Sequence, residues 1–256
     1  MFYKIYFSPT GGTKKVADYI TMGFNCPVTS LNIFEKSTDL SLLKLKENDT
    51  VLIAAPCYGG RAPEIAIDAM KKLQGNGAFA IPVAVYGNRA TDDQLAEMQD
   101  VLTATGFTVI AGIEALAEHS LGREIAKGRP NLEDQKILES YGLKIKETIS
   151  QKSYNLSLKL PGNRPYKLRG APATSVPLVV NKETCIGCNT CAVQCPTNAI
   201  PTDDPTTTIP QLCISCMHCT TVCPTGARTE TPEKITAIQT KLSQMCPEPK
   251  ENRLYI

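Results

Sequence analysis

Eight of the chain's eleven cysteines fall between Val180 and Arg228, in two matching runs. Cys185, Cys188, Cys191 and Cys195 precede Pro196, and Cys213, Cys216, Cys219 and Cys223 precede Pro224. Both runs read C-x2-C-x2-C-x3-C-P, a spacing at which thiolates hold iron–sulfur clusters. Three thiolates three residues apart sit on a tight loop around one face of a cubane. The fourth, on a short helix stopped by proline, points away from that face. Zinc and disulfides are the other chemistries open to clustered cysteines. Structural zinc usually pairs two C-x2-C elements and has no need of a third cysteine in step or a fourth before proline. Disulfides suit a short exported chain, which this sequence does not resemble.

This segment resembles the two-cluster bacterial ferredoxins. The resemblance implies two 4Fe–4S clusters in which each run's fourth cysteine serves the other cluster. One set is then Cys185, Cys188, Cys191 and Cys223; the other is Cys213, Cys216, Cys219 and Cys195.

Such clusters move single electrons, and the rest of the chain must say to what. With 256 residues there is room for one full domain and a small one. Net charge is only +2, which gives no argument for nucleic acid or a membrane surface. No apolar run is long enough to span a bilayer, and Met1 leads straight into a strand-like run rather than an export signal. Many cysteines without such a signal imply reduced thiols and metal ligation in a cytoplasm, an anaerobic one.

The elements ahead of the cysteines must position a partner for the clusters. Phe2 to Phe7 reads as a buried strand, followed by a Ser8–Thr13 turn and a helix opening near Lys14. Further strands are expected at Val28 to Phe34, Thr50 to Ala55, Ala80 to Val85 and Phe107 to Ile113. Helices are expected after Pro63, from Asp92 to Ala104 and from Asp134 to Ile149. Alternation of this kind implies a doubly wound, five-stranded parallel sheet of α/β class covered on both faces. Ligands of such sheets bind outside the strand carboxyl ends.

Ser8-x-Thr10-Gly11-x-Thr13 after the first strand offers hydroxyls and a helix N-terminus to a phosphate dianion. There the sequence resembles the flavodoxins, over residues 1–150. The resemblance implies an FMN whose phosphate is held by Ser8, Thr10, Gly11, Gly12 and Thr13. It also places Pro56, Cys57, Tyr58, Gly59 and Gly60 on one side of the isoalloxazine ring and Tyr86, Gly87, Asn88 and Arg89 on the other. Tyr58 would stack on the ring and a Gly59–Gly60 carbonyl would turn toward flavin N5. Many flavodoxins carry a second aromatic four residues after the third loop's glycine. Thr91 stands there, which implies an open outer face, to be covered by a substrate or partner molecule, the cluster domain, the 151–177 strap or a second copy of the chain.

Residues 151–177 change texture. Pro161-Gly162, Arg164-Pro165, Gly170-Ala171-Pro172 and Pro177 interrupt regular structure, and residues 151–174 carry basic but no acidic side chains. A strap along a domain surface is expected, its basic groups serving solubility or sitting near the phosphate or clusters, with one edge strand around Leu156, Leu158 and Leu160. The ferredoxin-like α+β domain then spans 178–231, with Ile200 to Gln211 suited to a hairpin. An amphipathic helix and tail complete residues 232–256, the helix capped at Thr231 with Pro232 first and Ile235, Ile238, Leu242 and Met245 on one face. Cys57 is expected as a packed residue in the flavin loop, and Cys26 and Cys246 as free thiols. His218 would either tune a cluster or lie on the surface. His119 would either deliver protons and meet substrate or hold structure. No Ser–His–acid set or second dinucleotide fingerprint occurs.

The whole then resembles flavodoxin–ferredoxin fusion proteins of anaerobes. The resemblance implies an electron-transfer protein passing electrons between FMN and two clusters, and on to a redox protein or a small acceptor. An FMN-dependent reductase of a quinone, tetrapyrrole or similar molecule is the alternative, resting on the open face at Thr91.

Overall fold

The structure, a computed structural model, describes residues 1–35, 37–169 and 178–256. The N-terminal elements are β1 (Phe2–Tyr6), α1 (Gly12–Met22), β2 (Val28–Asn32), β3 (Thr50–Pro56), α2 (Glu64–Lys71), β4 (Phe79–Tyr86) and α3 (Gln94–Ala104). β5 (Thr108–Val109), β6 (Gly112–Leu116) and α4 (Leu132–Ser150) follow. The strands lie in the order β2-β1-β3-β4-β6, all parallel. That is the 2-1-3-4-5 order of flavodoxin-type doubly wound sheets.

β1, β3 and β4 read FYKIY, TVLIAAP and FAIPVAVY, nearly unbroken apolar runs, because both sheet faces are covered. On one face Ile67, Met70, Leu95, Met98 and Leu102 of α2 and α3 pack against Ile5, Val51 and Ile53. On the other, Val16, Ile20, Leu138 and Ile145 of α1 and α4 meet Leu52, Ile81, Val83 and Ile113. The single strand expected over Phe107 to Ile113 is broken in two. Ala80 pairs with Val109 whereas Val83 pairs with Ile113, so one extra residue bulges out between β5 and β6.

The C-terminal part holds β7 (Val179–Val180), α5 (Thr190–Val193), α6 (His218–Thr221), β8 (Arg228–Thr229), α7 (Pro232–Met245) and β9 (Arg253–Tyr255). β7 and β8 form an antiparallel pair that closes the cysteine segment. Thr231 caps α7 by accepting from Lys234 N–H, with proline in the first turn, as the sequence indicates. The surroundings of Gly122 meet Leu242 and Ile238, which fixes where α7 lies.

One element goes beyond the expected parallel strands. β9 adds to the sheet edge, antiparallel to β6, pairing Gly112 with Tyr255 and Glu114 with Arg253. Beside it, Asn252 is almost fully buried. Its Oδ1 accepts from Leu116 N–H at 2.9 Å and its Nδ2 donates to Asp134 Oδ1 at 2.7 Å. Tyr141 donates to the Asn252 carbonyl at 2.9 Å. The chain end is thus sewn into the N-terminal sheet.

The strap differs from expectation in two ways. Residues 156–160 form no strand; Leu160 instead plugs into the core with its N–H bonded to Gln99 Oε1 at 2.9 Å. Three of its five basic groups are also ion-paired: Arg164 with Asp100, Lys167 with Asp92, and Arg169 with Glu97. Complementary carboxylates on and just before α3 hold it there. The strap's end at 170–177, including Gly170-Ala171-Pro172 and Pro177, lies outside the described residues.

Candidate functional site

Four loops meet at the carboxyl ends of the strands. Ser8 to Thr13 runs from β1 into α1, and Gly11, at φ 88, forms the helix N-cap with no side chain capping it. Ser8 Oγ accepts from Lys14 N–H at 2.9 Å, while Thr10 and Gly11 are exposed and Thr13 is buried. The open N–H groups of this helix start suit an anion.

The second loop, Pro56 to Gly60, turns back at once: Tyr58 and Arg61 exchange backbone bonds at 2.9 and 3.3 Å. Gly60, at φ 91, presses so closely on Asp92 that an added Cβ would stand 2.1 Å from its carboxylate, so only glycine fits. Its carbonyl accepts from Asp93 N–H at 3.0 Å, so of the pair the Gly60 carbonyl is already engaged within the protein. Cys57 Sγ donates to the Ala90 carbonyl at 3.4 Å, and burial pushes the thiol up to about 12. A neutral thiol tying two loops together is therefore its role here. Burial also raises Tyr58 well above the usual phenol range, with the neighbouring Cys216 adding to the effect.

The third loop, Tyr86 to Arg89, is clasped by the chain's end. Asn88 Nδ2 donates to the Glu248 carbonyl at 3.0 Å, and Lys250 N–H donates to Asn88 Oδ1 at 2.8 Å. Arg89 pairs with Asp92 at 2.5 Å rather than standing free. A Cβ on Gly87 would fall 2.6 Å from His119, which closes the loop after β6 onto it. His119 Nδ1 accepts from the Leu121 and Gly122 N–H groups at 3.2 and 3.1 Å. Burial, and then Arg89, holds its pKa below the usual value, so the ring is a neutral brace for this loop.

Thr91 corrects the sequence expectation. It is 5% exposed and donates to Glu114, whose other oxygen accepts from Tyr255 at 2.8 Å. The left-handed Asp92 and the close approach of Gly60 turn the backbone inward there, so Thr91 belongs to the interior, not to an open face.

The cysteine segment repeats its own conformation. Gly187 and Asn189 flank Cys188 with φ of 65 and 58, and Ser215 and Met217 flank Cys216 with φ of 52 and 61. Left-handed non-glycine residues cost about 1–2 kcal/mol each, a strain accepted because the coil must wrap tightly. Two cavities result. One is lined by Cys185, Cys188, Cys191 and Cys223. The other is lined by Cys195, Cys213, Cys216 and Cys219. Among the described residues no three acidic, His or Cys side chains stand close enough to hold a single ion. A lone zinc with sulfur at about 2.3 Å does not suit thiols spread around a cavity; a cluster does. Sulfur-directed donors are present, with Ala199 N–H 3.2 Å from Cys195 Sγ and Thr190 Oγ1 3.4 Å from Cys188 Sγ.

The segment from 200 to 211 is turns rather than a hairpin, pinned by Arg228, whose guanidinium donates to Thr208 Oγ1 at 2.8 Å and the Thr207 carbonyl at 2.6 Å. Cys26 and Cys246 are free thiols, exposed and buried respectively.

Residues 184–227 match the family model described as "4Fe-4S dicluster domain". The chain joins a sheet of flavodoxin strand order to a segment similar to that family. Among solved structures, this flavodoxin-like part is similar to flavodoxin 1 from Bacillus cereus, at 17% identity and a TM-score of 0.43, over 57% of this chain and 97% of that one. A flavodoxin of Streptococcus pneumonia TIGR4 gives 21% identity and a TM-score of 0.42, over 59% and 99%. Fusobacterium nucleatum flavodoxin bound to flavin mononucleotide gives 15% and 0.39, over 60% and 98%. No curated protein matches the chain. Among the described residues no helix is long and apolar enough to cross a membrane.

The residue that sequence reasoning underrated is His218. Its Nδ1 lies 2.7 Å from the Pro9 carbonyl and its ring centroid 4.1 Å from that of Phe34. Its place between two ligand cysteines was visible; the partner more than two hundred positions away was not.

Proposed function

We propose that the chain is an electron-transfer flavo-iron-sulfur protein carrying one FMN and two 4Fe–4S clusters. The single observation that carries this reading is the pair of four-cysteine cavities, one of them set by His218 against the loop end of a sheet of flavodoxin strand order. Flavin exchanges electrons in pairs or singly and a cluster exchanges them singly, so joining the two in one chain lets them meet at high effective concentration.

In this reading Ser8, Thr10, Gly11, Gly12 and Thr13 hold the FMN phosphate through hydroxyls and the α1 N–H groups. Tyr58 and the Gly59 carbonyl face the ring from the second loop, and Tyr86 to Asn88 from the third. The clasp of the chain's end on Asn88 keeps the third loop fixed, and the neutral Cys57 thiol keeps the second against it. The crossed ligand sets are Cys185, Cys188, Cys191 with Cys223, and Cys213, Cys216, Cys219 with Cys195. The working units are residues 1–150 with the returning β9, the strap from 151, and the cluster unit 178–231. The outside partner is a redox protein or a small electron acceptor. The FMN-dependent reductase stays the alternative, since Thr91, turned onto Glu114, supplies no lid to the ring.

Thr10→Val combined with Thr13→Val tests the flavin site. The expected outcome is a chain with an unchanged iron–sulfur spectrum and no bound flavin. Full flavin in the double variant would overturn the assignment of the first loop.

A further inference from the structure

The two cavities are not equally placed. His218 opens α6 between Cys216 and Cys219 and reaches three separate elements. A carbonyl can only accept, so Nδ1–H donates to Pro9 in the loop after β1. Nε2 lies 2.9 Å from the side-chain amide of Gln194, the residue before Cys195. The ring face meets Phe34, just past β2. Neighbouring side chains follow: Ile214 packs on the N-terminal core, and Leu121 from the loop after β6 packs on the cluster formed by Leu178 and Met217. The cavity of Cys195, Cys213, Cys216 and Cys219 is thereby pressed against the strand carboxyl ends. Cys195 and Cys216, its buried members, are enclosed there.

Both cavities are lined by the cysteine segment itself, but the other cavity's lining includes neither His218 nor Ile214, which carry these contacts to the N-terminal part. Cys188 is exposed, and Ile186 and Val193 beside it are 67% and 59% exposed. This cage looks outward.

We infer that electrons follow one order through the chain: flavin, then the cage of Cys195, Cys213, Cys216 and Cys219, then the cage of Cys185, Cys188, Cys191 and Cys223, with His218 as the positioning residue that holds the inner cage to the flavin loop. This order rests on the flavin-and-cluster reading above. Each step moves one electron, oxidising one group and reducing the next, and the path closes on a one-electron carrier outside the chain at the outer cage. It runs equally in either direction.

The test uses the full cofactor-loaded chain and reads flavin emission, which a nearby cluster quenches. Cys216→Ala should raise emission several-fold, and Cys188→Ala should leave it nearly unchanged. His218→Ala keeps all eight thiols and should raise emission at unchanged iron content. His218→Asn, whose amide can donate near the Nδ1 position, should bring it back toward the parent value. Equal rises in the two cysteine variants, or a rise with Cys188→Ala alone, would overturn the order. Unchanged emission in a fully loaded His218→Ala would overturn the role of that residue. Should His218→Ala shed iron, the pair of cysteine variants decides. A chain that takes up clusters but never flavin overturns the underlying reading and the order with it; a flavin-loaded chain with the wrong emission pattern overturns the order alone.

Discussion

Phe7, Leu52, Ile53, Ile81 and Ile113 are wholly enclosed in the N-terminal sheet, between helices on either face. Between Leu178 and Glu230 the enclosed apolar side chains are Leu178, Ala192, Ala199, Ile200, Met217 and Ala227, half of them alanine. What fills the centre of that segment is two cavities ringed with sulfur. The first region is specified by apolar burial, worth about 25 cal/mol per Å². The second has too little to bury for that to suffice, as in other small domains that depend on metal. One region therefore folds around side chains and the other around its cofactors. The difference also sets their tolerance: the sheet can lose its ligand and stand, while the cysteine segment cannot stand once stripped of both clusters.

The largest expected effect comes from removing the clusters. Metal that folds a small domain contributes on the order of 10 kcal/mol to it. Stripping iron with a chelator in air should open residues 178–231 to protease while the N-terminal sheet stays resistant. Joint collapse of both regions, or resistance throughout, would break the comparison. Leu52→Ala comes next, a fully buried site on the α1–α4 face. It should cost about 2–5 kcal/mol in denaturant unfolding, with iron content unchanged well below the transition. Iron loss before the sheet unfolds would mean the regions are not separable.

A smaller effect is expected at the seam between the chain's end and the sheet. Asn252→Ala leaves the Leu116 N–H and an Asp134 oxygen without their partner, and should cost about 1–3 kcal/mol. At Asp134, burial works against the charged form, but Arg129, the Asn131 N–H and the Asn252 amide outweigh it and hold the carboxyl below its usual range. A group lowered in the folded state contributes stability above its ordinary value of 3.8, and loses it as pH falls through the folded value. Melting temperature should therefore drop below about pH 4, and Asp134→Asn should flatten that drop while lowering stability at neutral pH. An identical pH profile in the variant would remove Asp134 from the account.

The parts legible in the sequence were those whose chemistry is local. Ligand spacing is fixed by the cluster a loop must wrap, so the eight cysteines announce themselves within a few dozen residues. The parallel strands show as apolar runs because both faces are covered. What stayed hidden was set by distant partners. β9 is three residues of ordinary character that become a strand only because β6 offers an open edge. Thr91 was misread by counting from Gly87, since nothing nearby reveals that Glu114 and the tail draw it inward. The strap's basic residues look like solvated charge until α3 supplies Asp100 and Glu97.

The most direct test of the central claim is a cofactor count on anaerobically purified chain. The account predicts about eight irons and eight acid-labile sulfides, from two cubanes, together with one FMN released on denaturation. Iron and sulfide at half that level, or a chain with full clusters and no flavin, would contradict it.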